Sequence, residues 1–424
     1  MHRMSRVAAV FTLVIASVIV YHNALRASFF DDDFQWLVGS WSFHPSQLVA
    51  FSSMSHFYRP VIDVYFAALT PLLGGSPVFF HAVSIAIHVA TVLVIFALAT
   101  RIGRDRLFGF CTALFFAVQP ADIDAVAWVG ALAEAVGAFF GCLALFWFLQ
   151  WRDEGHTRDR WLSLGAYAVA LLTHESSVVF LAVMVIAEWL GITGHRGTET
   201  RRLSQYWPFV AITVAYLSID LYINSRNYVV TQGDYSIGFH MTRNALDYLT
   251  ALYVGRHDAL NDAFVAVGLV LLLWLGNERM RFATLWILLA LAPFLPFTWG
   301  NTSRYLYQPA IGFAILLAEG ARGLGRWART VSGRRVEASV ASLAIAALIA
   351  IRFAVFAQAN VTDFAVRSQV YPAYLAKFRR AHPDLTSNTT VQIDPDDVRK
   401  PYQFVNAAVQ WEYRDPTIRV APYE

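Results

Sequence analysis

The chain reads as an all-α polytopic membrane protein, and three observations lead there. Of its 424 residues 57% are hydrophobic and 15% charged, with a mean hydropathy of +0.46, whereas a soluble globule carries nearer ~25% charged residues. Apolar runs long enough to cross ~30 Å of hydrocarbon recur along it, about eleven in all. Between them the arginines fall in short patches in alternate loops, as the excess of basic residues in cytoplasmic loops requires.

The runs lie near 7–25, 78–100, 107–120, 127–150, 161–173, 176–193, 206–223, 261–276, 282–297, 305–320 and 337–357. The first follows Arg3 and Arg6, as in a signal peptide, but reaches membrane-spanning length and is read as a retained helix. The run 161–173 is short, and it becomes a span because the next run begins just after His174 and Glu175, giving a tight helical hairpin. The patches Arg101/Arg104/Arg106, Arg152/Arg158/Arg160, Arg196/Arg201/Arg202, Arg279/Arg281 and Arg322 through Arg335 place those loops and the N-terminus in the cytoplasm. An odd number of spans then puts the C-terminus outside.

Residues 26–77 form a long first outer loop, in which Val61 to Leu73 is apolar but too short to span and suits an interfacial helix. These residues belong to a membrane domain, 1–357. The remaining 358–424 are polar and punctuated by Pro372, Pro383, Pro395, Pro401 and Pro416. Strands are expected at Thr389 to Ile393 and Thr417 to Val420, making a small α/β appendage outside the membrane.

The net charge of +3 comes from arginine, since Lys377 and Lys400 are the only lysines; the pattern reports topology and gives no support for nucleic-acid binding. Cys111 and Cys142 lie inside apolar runs and form no metal-type or disulfide pattern. His81 and His88 stand two helical turns apart, too far to chelate together, so no metal or other cofactor is called.

Polar groups collect on the outer side: Asp31-Asp32-Asp33, Tyr58-Arg59-Pro60, the stretch Gln119 to Trp128, His174-Glu175, and Thr298 to Tyr307. Juxtaposed carboxylates repel and perturb one another's protonation, and at a membrane rim they suggest a proton acceptor or a cation site. Transfer of a group to a hydroxyl needs a carboxylate to take the acceptor proton and cations to hold a phosphate leaving group. The acidic triplet supplies the first, and Arg59, Arg304 and His174 the second. Each element also has a plain structural reading. The triplet and His174-Glu175 are solvated loops, Tyr58-Arg59-Pro60 is an interface anchor, Asp122 and Asp124 cap a helix, Glu134 pairs with an arginine, and Arg304 packs on aromatic faces.

Phe30-Asp31-Asp32-Asp33, Tyr58-Arg59-Pro60-Val61, Gln119-Pro120 through Asp124-Ala125-Val126-Ala127-Trp128, Leu172-Thr173-His174-Glu175, and Arg304-Tyr305-Leu306-Tyr307 with Pro309, Gly312 and Phe313 occur in that order. In this the chain resembles the GT-C superfamily of membrane glycosyltransferases, most closely the membrane part of the tetratricopeptide-repeat mannosyltransferases and their bacterial relatives. The resemblance implies a polyprenyl-phosphate-linked sugar donor, transfer on the outer face, and a first-loop aspartate as base. Asp32 is the first choice, with Asp31 and Asp33 beside it. It further implies that Arg59, Arg304 and His174 face the carrier phosphate, with Glu175, Asp124, Glu134, Tyr58, Trp128 and Tyr305 in support. The chain departs from the family's pattern at Gln119 for histidine, Asp124 for glutamate, Leu132 for arginine and His174 for lysine, and it lacks the repeats.

The resemblance further implies an inverting-type enzyme, moving one sugar to a hydroxyl of a glycan, glycolipid or protein. It would sit as a multi-pass protein of a bacterial inner membrane, with its active face and C-terminus in the periplasm. If His174 holds phosphate as a cation, activity should fall as it deprotonates near its reference value of ~6.5, unless the phosphate raises that value. Two other readings stand beside this one. A transporter or lipid-carrier flippase would keep its ionisable groups near the midplane on broken or repeated helices, and a catalytically silent assembly subunit would account for the substituted lysine and arginine.

Overall fold

The computed structural model describes residues 5–49, 57–193, 203–255, 258–299, 302–332, 337–393 and 401–422. The basic patch Arg196/Arg201/Arg202, Arg334 and Arg335, Lys400 and Pro395 lie outside the described residues. Each of the eleven apolar runs is helical.

The first run forms α1 (Arg6–Tyr21), which a 3-10 turn extends to Arg26. The first loop folds into α2 (Asp33–Gly39), α3 (Ser46–Val49) and α4 (Pro60–Leu72). Pro60 opens α4 in its first turn, where the absent N–H has no intrahelical partner to lose. There follow α5 (Pro77–Gly103), α6 (Arg106–Ala117), the single turn α7 (Asp124–Ala127), α8 (Leu132–Glu154), α9 (Thr157–Thr173) and α10 (Val179–Trp189). Gly155 ends α8 in the left-handed region (φ 75°), so the chain reverses at once into α9.

α11 (Trp207–Asn224) leads to α12 (Tyr228–Thr231) and the amphipathic α13 (His240–Tyr253). Then come α14 (Ala259–Leu275), α15 (Glu278–Leu291), α16 (Tyr307–Val331), α17 (Ala338–Arg367) and α18 (Val370–Ala381). The chain closes with β1 (Thr390–Ile393), α19 (Tyr402–Tyr413) and β2 (Arg419–Pro422), the strands pairing in parallel with Val391 opposite Val420. The compositional boundary at 357/358 falls inside α17, which runs through it unbroken.

Among the described residues five helical stretches have the length and apolarity to cross a membrane: Arg6–Arg26, Pro77–Gly103, Val129–Glu154, Trp207–Asn224 and Ala338–Ala381. The other apolar helices are shorter or carry more charge. α14 has only Val265 buried while Leu260, Phe264 and Trp274 are exposed, the inverse of a soluble helix and the surface a helix offers to lipid.

α8 packs against both α5 and α9, and α16 against α6, α15 and α17. A Cβ at Gly312 would stand 2.7 Å from the Ala283 carbonyl oxygen, so glycine there lets α16 lie directly on α15. At the arginine-rich ends, Arg101 pairs with Asp153 (3.0 Å) and Glu154 (2.9 Å), Arg152 with Glu188 (2.5 Å), and Arg279 with Glu319.

The opposite ends carry the first loop and the C-terminal segment, which fold against each other. α19 lies on α2. Trp411 stacks on Trp41 (ring centres 5.4 Å apart) and meets Phe29 edge-on, and the Ser28 N–H donates to Ser368 Oγ at 2.9 Å.

Candidate active site

The three acids of the first loop have three different surroundings, because they span a tight turn. Asp31 has φ 46°, a left-handed conformation that aspartate tolerates better than most residues, and the Asp33 N–H donates to the Phe30 carbonyl at 3.0 Å. This turn sends successive side chains in separate directions.

Asp31 is turned to the C-terminal segment, its Oδ1 accepting from the Tyr371 hydroxyl at 2.8 Å. Asp33 is fully buried and accepts from the Phe30 N–H at 2.8 Å and the Gly130 N–H at 2.5 Å. Burial and the neighbouring Asp32 raise its carboxyl well above the usual range. It is a clamp between the first loop and the turn before α8. Asp32 alone of the three faces the cavity, with its Oδ1 free of any hydrogen-bond partner. Burial pushes its carboxyl up to about 6; Arg304 and Arg59 oppose that shift, and Asp31 adds to it. A Cβ on Gly130 would stand 2.4 Å from Asp32 Oδ1, so the close approach of carboxylate and backbone requires glycine.

The cavity has a volume of about 130 Å³. It is lined by Asp32, Gln35 and Trp36 of the first loop, by Phe57 and Arg59, by Trp128, Gly130, Ala131, Ala133 and Glu134, by His174 and Glu175, by Phe294, Phe297, Trp299, Arg304 and Tyr305, and by Phe404 of α19. Sites far apart in sequence therefore meet at the ends of α8, α9 and α16.

Arg59 holds Glu175 through two bonds, Nε to Oε2 at 3.0 Å and Nη2 to Oε1 at 2.6 Å, and lies over the Phe57 ring at 4.6 Å. Burial alone would raise the Glu175 carboxyl, but the Arg59 guanidinium and His174 hold it down to about 2. The pair stays charged and internally compensated. Arg59 was expected as a phosphate-side cation; its fork is committed to Glu175, and its charge is offset there.

His174 was expected as a cation as well, and the structure corrects this. Its Nδ1 accepts from the Ser176 N–H at 3.2 Å and sits 2.8 Å from Ser176 Oγ, which in turn accepts from Gln308 Nε2 at 2.9 Å. That assigns the proton to Nε2, 3.2 Å from Glu134 Oε1. Burial, Arg59 and Arg304 push the imidazole down to about 3, against the pull of Glu175. It is neutral at physiological pH, so no loss of activity near 6.5 is expected from this residue.

Arg304 differs from Arg59. Among the described residues it has no carboxylate within ion-pair reach. Its Nη2 donates to the Tyr305 hydroxyl at 3.2 Å, and its guanidinium lies 4.6 Å from the Trp128 ring centre. Burial acts to lower its affinity for the proton, but Tyr305 and Asp32 outweigh that and raise it. The cavity thus holds a cation facing a carboxylate of raised proton affinity.

Trp128 donates from its indole to the Phe30 carbonyl at 3.2 Å, so it also fixes the acidic turn. Glu134, 1% exposed, lines the cavity with its Oε1 3.2 Å from His174 Nε2. Two of the supporting residues lie elsewhere. Tyr58 is buried behind the cavity against Tyr216, and Asp124 sits in the first turn of α7 outside the lining. Asp122 does not cap α7, whose N-cap is Ile123; it is fully buried, and burial raises its carboxyl.

Sequence reasoning did not single out the aromatic wall, the glycine contact or the C-terminal contribution. Phe294 stacks on Tyr305 at 4.1 Å and Phe297 on Trp299 at 4.3 Å. The aromatic residues around Pro293 and Pro296 were a signal for that wall. Nothing local marked Phe404. Among the described residues, the one group of three metal-type ligands close enough to share an ion is Glu154, His156 and Asp159, in the turn between α8 and α9. The cavity carboxylates do not converge in that way.

In fold the chain is similar to a solved oligosaccharyltransferase. It superposes on the oligosaccharyltransferase of Archaeoglobus fulgidus, solved with a tethered acceptor peptide, with a TM-score of 0.56 at 13% identity, covering 98% of this chain and 63% of that one. A second structure of that enzyme, with Zn and sulfate, gives the same score. No family model matches the chain.

In sequence the chain is similar to the protein O-mannosyl-transferases. It is 28% identical over 196 residues to TMTC1 of Mus musculus, 40% of this chain and 21% of that protein. It is 24% identical over 305 residues to F38B6.6 of Caenorhabditis elegans, 63% of this chain and 43% of that protein. The matches thus span less than half the length of these relatives. The GT-C likeness read from the motifs is borne out.

Proposed function

We propose that the chain transfers one sugar from a polyprenyl phosphate to a hydroxyl of a glycan, glycolipid or protein, at the extracytoplasmic face of the membrane. The observation that carries this is the pairing of Asp32 with Arg304 across one cavity, the first without a hydrogen bond to one oxygen and the second, among the described residues, without a carboxylate in ion-pair reach. Asp32 takes the proton of the acceptor hydroxyl as its oxygen attacks the anomeric carbon. The bond from that carbon to the phosphate oxygen breaks, and polyprenyl phosphate departs with the electron pair. Arg304 offsets the charge that develops there.

This single displacement inverts the anomeric centre. Arg59 and Glu175 brace one wall, and neutral His174 presents an N–H toward Glu134. The relatives, whose names describe O-mannosyl transfer, make mannose the first sugar to try.

The test is turnover of labelled polyprenyl-phosphosugar by the purified protein. Asp32→Asn should lose at least about a hundredfold in kcat, whereas Asp31→Asn should retain most of it. Turnover of Asp32→Asn at the wild-type rate removes Asp32 as base.

A further inference from the structure

We infer that the isoprenoid chain of the donor leaves the cavity along its aromatic wall and is held at the outer end by the loop bearing Ile237 and Phe239. The inference rests on the reading of the cavity as a polyprenyl-phosphate site.

The wall starts at the cation. The Arg304 guanidinium lies 5.1 Å from the Tyr305 ring centre, and Tyr305 stacks on Phe294 at 4.1 Å and on Phe297 at 5.6 Å, each within 11° of parallel. Phe297 in turn meets Tyr235 edge-on at 5.0 Å. Its backbone is joined to the same loop. Tyr235 and Phe297 form an antiparallel bridge, the Ser236 N–H donates to the Pro296 carbonyl at 3.0 Å, and the Thr298 N–H donates to the Asp234 carbonyl at 2.9 Å. From α13, Asn244 Nδ2 donates to the carbonyls of Leu295 at 2.9 Å and Phe297 at 2.7 Å. Wall and loop are therefore one rigid unit.

Beyond Tyr235 the residues through Phe239 carry no charge. Ile237 is 92% exposed and Phe239 99%. Such exposure is ordinary on lipid-facing helices such as α14, but here it stands on a loop at the far side of the cavity wall. A phosphate held by Arg304 is joined to its isoprenoid chain by one ester bond, so the chain must begin beside Tyr305. The uncharged stack of rings leads to two bare apolar side chains, and these are the surface that an isoprenoid covers with gain.

The test measures binding of undecaprenyl phosphate and of the short citronellyl phosphate to the detergent-purified full chain, by quenching of its tryptophan fluorescence. Wild type should bind the long lipid at least about tenfold tighter. The double variant Ile237→Ser, Phe239→Ser should lose about tenfold for the long lipid and nothing for the short one. Retained citronellyl phosphate binding also certifies that the variant is folded. Equal wild-type affinity for the two lipids overturns the inference. So does an equal loss of both in the variant, or a loss of neither, which would leave the loop facing bulk bilayer alone. Arg304→Ala should weaken both lipids by a similar factor. If it weakens neither while the double variant still loses the long lipid, the phosphate reading fails and the chain track stands.

Discussion

Asp31, Asp32 and Asp33 are chemically identical and do different work because one left-handed residue separates their directions. Asp31 is held by Tyr371, Asp33 by two backbone N–H groups, and Asp32 is left to the cavity. The sign of the pH dependence follows. A base acts ionised, and the Asp32 carboxyl is pushed up to about 6 by burial. Turnover should rise about tenfold per pH unit below that value and level off above it. His174, held at about 3, should add no second inflection. A kcat/KM profile measured from pH 4.5 to 8 checks both, and a flat profile through 6 would count against Asp32 as the base.

Among the elements, α18 and α19 act on the site although both lie beyond the last apolar run, 337–357. Tyr371 sits at the start of α18, meets the rings of Phe30 and Phe34, and fixes Asp31. Removing only its hydroxyl tests whether that bond positions the acidic turn. Tyr371→Phe should cost about 1 kcal/mol of stability, read as a small drop in melting temperature. It should also lower kcat several-fold while leaving the KM for the donor nearly unchanged, since Arg304 and the aromatic wall are untouched. A changed KM with intact kcat would assign Tyr371 to donor binding instead.

For the whole molecule, the cavity is closed only when the two ends of the chain meet. Phe404 lines it from α19, and Trp411 stacks on Trp41 of the first loop. A chain stopped after Ile393 loses both contacts and the partner strand of β1. It should still enter the membrane, because the apolar helices are intact, yet lose at least about tenfold in transfer. Membrane-fraction yield and turnover, measured side by side, separate the two effects.

Much of the architecture was legible because bilayer crossing imposes a long apolar run that any local window detects. All eleven runs are helices, and the His174-Glu175 hairpin lies where its spacing placed it. The short α13 was missed because its apolar stripe is diluted over a polar helix. The acidic triplet and Arg304 stood out because charge at a membrane rim is unusual enough to notice, and the family resemblance singled out Asp32 and added Trp128 and Tyr305.

By itself the sequence determined a helical membrane protein with acids and arginines collected near one set of helix ends, since hydropathy and charge placement are properties of each segment alone. Which acid faces the cavity, that Arg59 is offset by Glu175 and Arg304 is not, that His174 is neutral, and that Phe404 completes the wall were decided only by the tertiary structure. Those are properties of pairs: a proton's affinity and a cation's availability depend on what another part of the chain brings within a few ångströms.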